Sequence, residues 1–154
     1  MTGLKANLAR KPQGNDRAQV KAIWAGECDI ALGNTYYIGK MMADPEQKSW
    51  AESVNVVFPV FEGSGTHVNV SGMALTKYAP HKADAIKLME FLSSAKAQEI
   101  YAAQNYEYPI APGSEAVDLV KSWGSFTPDG VNLMDVAAKR PAALKLVQEV
   151  DFDG

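Results

Sequence analysis

Short apolar runs alternate with stretches of helical period along these 154 residues, and that alternation limits the fold more than any other feature. Asp29–Gly33 (DIALG), Val54–Phe58 (VNVVF) and His67–Leu75 (HVNVSGMAL) read as strands, and Tyr106–Ile110 (YEYPI) as a short extended piece. Between them the spacing predicts helices. One, capped by Asn15 or Asp16, runs to Ala25, with Val20, Ile23 and Trp24 on its apolar face. A second, Tyr36–Met42, is capped by Asn34 or Thr35 and stopped by Asp44-Pro45. Gln47–Ser53, Lys82–Ser93 and Ala95–Gln104 follow, the last with Ser94 as cap. Val117–Trp123, Val131–Ala138 and Ala142–Val150 complete the series, with Pro141 as the break between the last two. The expected class is α/β: a mixed sheet with flanking helices.

Composition narrows the function. With 47% hydrophobic and 21% charged residues the chain can bury a core. No run approaches the ~20 apolar residues of a membrane-spanning helix. Eighteen acidic against fifteen basic residues, a net charge of −3, give no electrostatic case for nucleic acid. Cys28 is the single cysteine, which excludes an internal disulfide and a thiolate zinc cluster. Lys5, Arg10 and Lys11 resemble the basic start of an export signal, but no apolar segment or cleavage site follows. Leu4–Ala9 reads as the tail of a helix without a start, so the chain is expected to be part of a longer one.

Few side chains offer chemistry. GxSxG is absent, and the histidines are His67 and His81. The loop Glu62–Thr66 (EGSGT) has glycines like a phosphate cradle, without the lysine and helix of a P-loop. Asn69-Val70-Ser71 matches a glycosylation triplet but falls inside an expected strand. Cys28 reads as a buried thiol. His67 reads as a hydrogen-bonded hinge residue or a ligand. The adjacent pair Tyr36-Tyr37 is the most informative. In the first turn of a helix the two side chains diverge by only ~100°, so both phenol oxygens can reach one small ion. A hard, highly charged cation such as Fe3+ can displace the phenolic protons, which otherwise leave near pH 10. Two amphipathic aromatics at a helix start, one packed and one exposed, are the other reading.

At these residues the sequence resembles a known family. NLARKPQGNDRAQVKAIWAGECDIALGNTYYIGKM is similar to the ferric-iron-binding periplasmic proteins of bacterial ABC transporters, family 1 solute-binding proteins of the iron-deficiency-induced type. The likeness continues through FEGSGTHVNVSGMAL, KADAIKLMEFLSSAKAQEIYAAQNYEYPI and LVKSWGSF. The resemblance implies the C-terminal portion of a two-lobed periplasmic-binding-protein (type II) fold. Residues 1–66 and 113–154 would belong to the C-terminal lobe, and residues 67–112 would return to the N-terminal lobe. It implies Fe3+ held by Tyr36 and Tyr37 as phenolates, with an external anion such as carbonate in some members. Asn34, Thr35 and His67 would lie at the site or hinge. It implies a periplasmic location and delivery to an inner-membrane ABC permease, without catalysis.

The chain departs from the family in length. The export signal, most of the N-terminal lobe and the earlier ligands are absent, so the missing N-terminal half of the protein is itself an expected partner. Two phenolates alone leave coordination positions of an octahedral ion open, and the expectation is weak iron binding by this chain by itself. A solute-binding protein for an oxyanion or polyamine keeps the fold and changes the cargo. A small hydrolase using Cys28 or His67 is the alternative of another class.

Overall fold

The computed structural model describes residues 1–61 and 63–152. Glu62, in the expected EGSGT loop, and residues 153 and 154, in the last expected lobe segment, lie outside them. Eight helices follow in order among the described residues: α1 (Thr2–Ala6), α2 (Asp16–Trp24), α3 (Tyr36–Met42), α4 (Lys48–Glu52), α5 (Lys82–Leu92), α6 (Ala95–Asn105), α7 (Asp118–Ser122) and α8 (Leu133–Glu149).

Local chemistry explains several of their ends. The Asn15 side chain caps α2 by accepting from the Ala18 amide at 3.1 Å. Gly26 adopts a φ of +75° just after it, a conformation open to glycine at no steric cost. Ser94 caps α6 by accepting from the Ala97 amide at 3.3 Å.

Two expectations are corrected. Pro141 does not end a helix: it sits inside α8, which runs unbroken across it. The ring removes one hydrogen bond to Ala137, and that residue is exposed, so water can take up the freed carbonyl. The mixed sheet is likewise not formed among the described residues. The runs expected as strands have no regular secondary structure, and one isolated parallel bridge joins Thr66 and Pro128. A β-branched run favours a strand only where a second edge lies in register, and these runs find none here. Several of their apolar side chains face solvent instead, with Ile30 84%, Leu32 74% and Val57 77% exposed.

The core is therefore helical and local. Val20 of α2, Met41 of α3 and Ala51 of α4 form its buried centre, with Tyr37, Ile38, Met42, Trp50 and Val54 packed around them. Trp24 and Trp50 lie with ring centroids 6.4 Å apart, and the Lys21 ammonium sits 4.9 Å over the Trp50 ring. A second aromatic group joins distant segments. Phe126 stacks on Phe58 at 4.7 Å and takes the edge of Tyr108 at 5.2 Å.

Two glycines allow the long-range contacts. At Gly65, φ is +116°, and a Cβ would come 2.6 Å from the Thr127 carbonyl oxygen. That close approach permits the bonds from the Thr66 amide to Thr127 O and from the Asp129 amide to Thr66 O, both 2.9 Å. At Gly39, on α3, a Cβ would lie 2.2 Å from Cγ of Tyr106. Tyr106 ends α6 in the left-handed region, φ 58° and ψ 32°, and its ring rests on α3 where that Cβ is missing. Gly39→Ala should therefore force the ring off α3. The expected cost is about 1–3 kcal/mol, read as a lower midpoint in urea or heat, whereas Gly3→Ala, which meets no atom within 4 Å, should leave the midpoint unchanged.

Candidate functional site

The site is built on the start of α3. Its first turn is tight: the Tyr37 amide donates to Asn34 O at 3.2 Å and the Ile38 amide to Thr35 O at 3.0 Å. Neither expected cap works through its side chain. Thr35 makes no capping bond. The Asn34 side chain is engaged elsewhere, donating to Asp16 Oδ1 at 3.2 Å and accepting from Asn69 Nδ2 at 2.9 Å. The Asn34 backbone amide also donates to Asp16 Oδ1, at 2.8 Å. The α2 carboxylate thus holds the turn that leads into α3.

The structure brings Tyr36 and Tyr37 together. Their ring centroids are 4.5 Å apart with the planes inclined at 38°, and both residues are half-buried. Each ring has a cation near its face. Arg17 Cζ is 5.9 Å from the Tyr37 centroid, and Lys40 Nζ is 5.7 Å from that of Tyr36. Hydrogen bonding with the Tyr37 hydroxyl favours the protonated form of Tyr36. Burial and the negative potential of Tyr37, Asp16 and Glu107 add to it, and together they push the Tyr36 pKa up to about 12. Tyr36 is therefore held in its neutral form.

Around the pair runs a polar network. Glu107, which follows Tyr106, accepts from Ser71 Oγ at 3.3 Å. The segment carrying Asn69 and Ser71 is thereby tied to both the α3 entrance and the α6 exit. His67, two residues before Asn69, turns to Asp129: its Nδ1 lies 2.9 Å from Asp129 Oδ2. It joins the segments bridged at Thr66, and its imidazole is taken up by the aspartate. Cys28 is a free, half-buried thiol, and no hydrogen bond joins it to His67 among the described residues. Among the described residues no three His, Cys, Asp or Glu side chains converge as a metal cage would require. No helix of the described residues is long and apolar enough to cross a membrane.

Sequence reading did not single out Asp16 or Glu107. Asp16 was legible only as a helix start, and nothing in its spacing links it to Asn34, eighteen residues on. The place of the Tyr106 ring on Gly39 depends on a left-handed residue that sequence spacing does not announce.

A helix start carrying two adjacent phenols beside polar loops is an arrangement that can bind a solute. The sequence profile of the bacterial extracellular solute-binding proteins matches residues 4–99, and the chain belongs to that family. The chain is 46% identical to iron uptake protein A1 of Synechocystis over 97% of its own length and 42% of the relative's. Its backbone superposes on the crystal structure of Pasteurella haemolytica apo ferric ion-binding protein A with a TM-score of 0.95 and 56% identity, over 99% of this chain and 48% of that one. The Trichodesmium protein IdiA (FutA), in complex with iron and citrate ligands, matches with a TM-score of 0.90 and 40% identity, over 98% of this chain and 48% of that one. The chain spans less than half the length of each. The family's solute-binding character agrees with the expectation of a binding protein and not a hydrolase.

Removing the Tyr37 hydroxyl should return Tyr36 toward the usual phenol value of about 10. In Tyr37→Phe the Tyr36 ring, followed by NMR with ring-labelled tyrosine, should ionise at lower pH than in the parent protein. The sign for stability follows: an unfolded phenol loses its proton from about pH 10 and the folded one at about 12. Folding stability therefore falls as pH rises through that window, and Tyr37→Phe should flatten the fall.

Proposed function

We propose that this chain carries the paired-tyrosine half of a ferric-iron site and serves ABC-transporter iron uptake. The observation that carries the reading is the convergence of Tyr36 and Tyr37 at one helix start, with ring centroids 4.5 Å apart. Relatives named for iron uptake and ferric ion binding support the choice of cargo over an oxyanion or polyamine. Both phenols bind Fe3+ as phenolates. The charge of the ion displaces protons that the resting site holds tightly, so loading is coupled to proton release. Arg17 and Lys40, facing the rings, offset part of the negative charge that develops.

Two phenolates fill two coordination positions. The remaining donors come from polypeptide outside these residues, together with a small anion such as carbonate or a carboxylate of the delivered complex. The relative solved with iron and citrate supports the second source. Residues 1–66 and 113–154 form part of one lobe, a division supported by the bridge between Thr66 and Pro128. Residues 67–112 form part of the other, and the contact of Tyr106 with Gly39 then crosses between them. The loaded protein meets an inner-membrane ABC permease in the periplasm, as befits a solute-binding protein of this family.

Titration of the chain with ferric citrate should raise a visible iron–phenolate charge-transfer band. The band should vanish in Tyr36→Phe/Tyr37→Phe and survive in Tyr101→Phe. Because two protons leave, the apparent affinity should rise with pH between mildly acid and neutral solution, and acid should bleach the band. A band that persists in the double variant would place the iron elsewhere.

A further inference from the structure

We propose that Asp16 is the positioning residue of the phenol pair, a carboxylate from α2 that fixes the turn from which Tyr36 and Tyr37 project. The inference rests on the ferric reading above and extends it to a residue that never touches the ion. Three observations carry it. Asp16 Oδ1 accepts from the Asn34 backbone amide at 2.8 Å and from the Asn34 side chain at 3.2 Å, so one oxygen grips both ends of that residue. Gly33 lies against the same carboxylate, with room for a Cβ only 3.2 Å from Oδ1, so the turn passes close over Asp16. The α3 start has no side-chain cap of its own, since Thr35 makes none. The orientation of its first residues is therefore set from outside the helix, by α2.

A carboxylate accepting two N–H bonds is a stronger restraint than a neutral cap. Arg17, the next residue along α2, adds a second hold by lying 5.9 Å from the Tyr37 centroid. The first turn of α2 is thus a platform for the first turn of α3. Partners that orient metal ligands in this way typically change metal affinity about 10- to 100-fold when removed.

The test separates holding from charge and from mere stability, using the full chain. Asp16→Ala removes the grip, Asp16→Asn keeps an accepting oxygen without the charge, and Asn15→Ala removes the α2 cap without touching Asn34. Without iron, Asp16→Ala should lose hydrogen-exchange protection at the Asn34 amide and the cross-ring contacts of Tyr36 with Tyr37 in NMR. Asp16→Asn should keep both, and Asn15→Ala should keep both while lowering the melting midpoint. With ferric citrate, Asp16→Ala should weaken the charge-transfer titration about 10- to 100-fold and shift the band, and Asp16→Asn should restore most of the affinity. Unchanged protection and ring contacts in Asp16→Ala would overturn the inference, as would equal losses in Asp16→Ala and Asn15→Ala. Absence of a band in the parent protein would count against the ferric reading alone, because the iron-free comparison still decides the role of Asp16.

Discussion

The position of α3 is the constraint on which the rest depends. One side of the helix packs into the core through Met41, which is wholly buried. Another side lies bare at Gly39, and the Tyr106 ring fills the space that a side chain would take. The start of the helix is gripped by Asp16. These three holds act on seven residues, and a helix that short has little stability of its own in water. Its direction, and with it the aim of both phenols, is a property of the packing around it.

The electrostatics of the pair follow from the same geometry. Hydrogen bonding with Tyr37, burial and the negative potential of Tyr37, Asp16 and Glu107 all favour the protonated form of Tyr36. In the proposed site a weakly charged cation would not repay the loss of that proton. A trivalent ion can, because its attraction for two anionic oxygens exceeds the cost of removing their protons in a partly desolvated place. Selectivity in the proposed site would therefore arise from a resting state that is hard to ionise, not from an open cage of carboxylates waiting for any cation.

Much of this was legible in the residues and some was not. The helices that follow Asn15 and Ser94 begin where their side-chain caps put them, because those signals act over three or four residues. The tyrosine pair was legible for the same reason: its meaning depends on neighbours in sequence. Asp16 was not, since its partner lies eighteen residues away and an acidic residue at a helix start already has a local explanation in the helix dipole. Pro141 misled because its cost was weighed without the exposed setting in which the freed carbonyl is hydrated. The strands misled in a more instructive way. DIALG and VNVVF have the composition of buried strands, yet a strand is a relation between two segments, and composition describes only one of them.

That relation bears on how the chain's surface is to be understood. Ile30 and Leu32 are exposed two residues apart, on one side of a run that leads directly into Asn34, Thr35 and the tyrosines. Val57, Val60 and Phe61 are exposed in the run that leads to Gly65. Single exposed apolar residues need no explanation, but paired rows beside a site do. The backbone nevertheless superposes with a TM-score of 0.95 on 48% of a ferric ion-binding protein. These runs therefore hold the course they take within a chain twice as long, although nothing among the described residues pairs with them. In the reading proposed above, polypeptide outside these residues would supply both the pairing edge and the further iron donors. Completing the sheet and completing the coordination sphere would then be one event, since the run from Asp29 to Gly33 ends at the turn that Asp16 holds. A site assembled that way would couple metal affinity to burial: polypeptide covering Ile30 and Leu32 would also lower the dielectric around the phenols, and the ion–phenolate attraction would strengthen as water left.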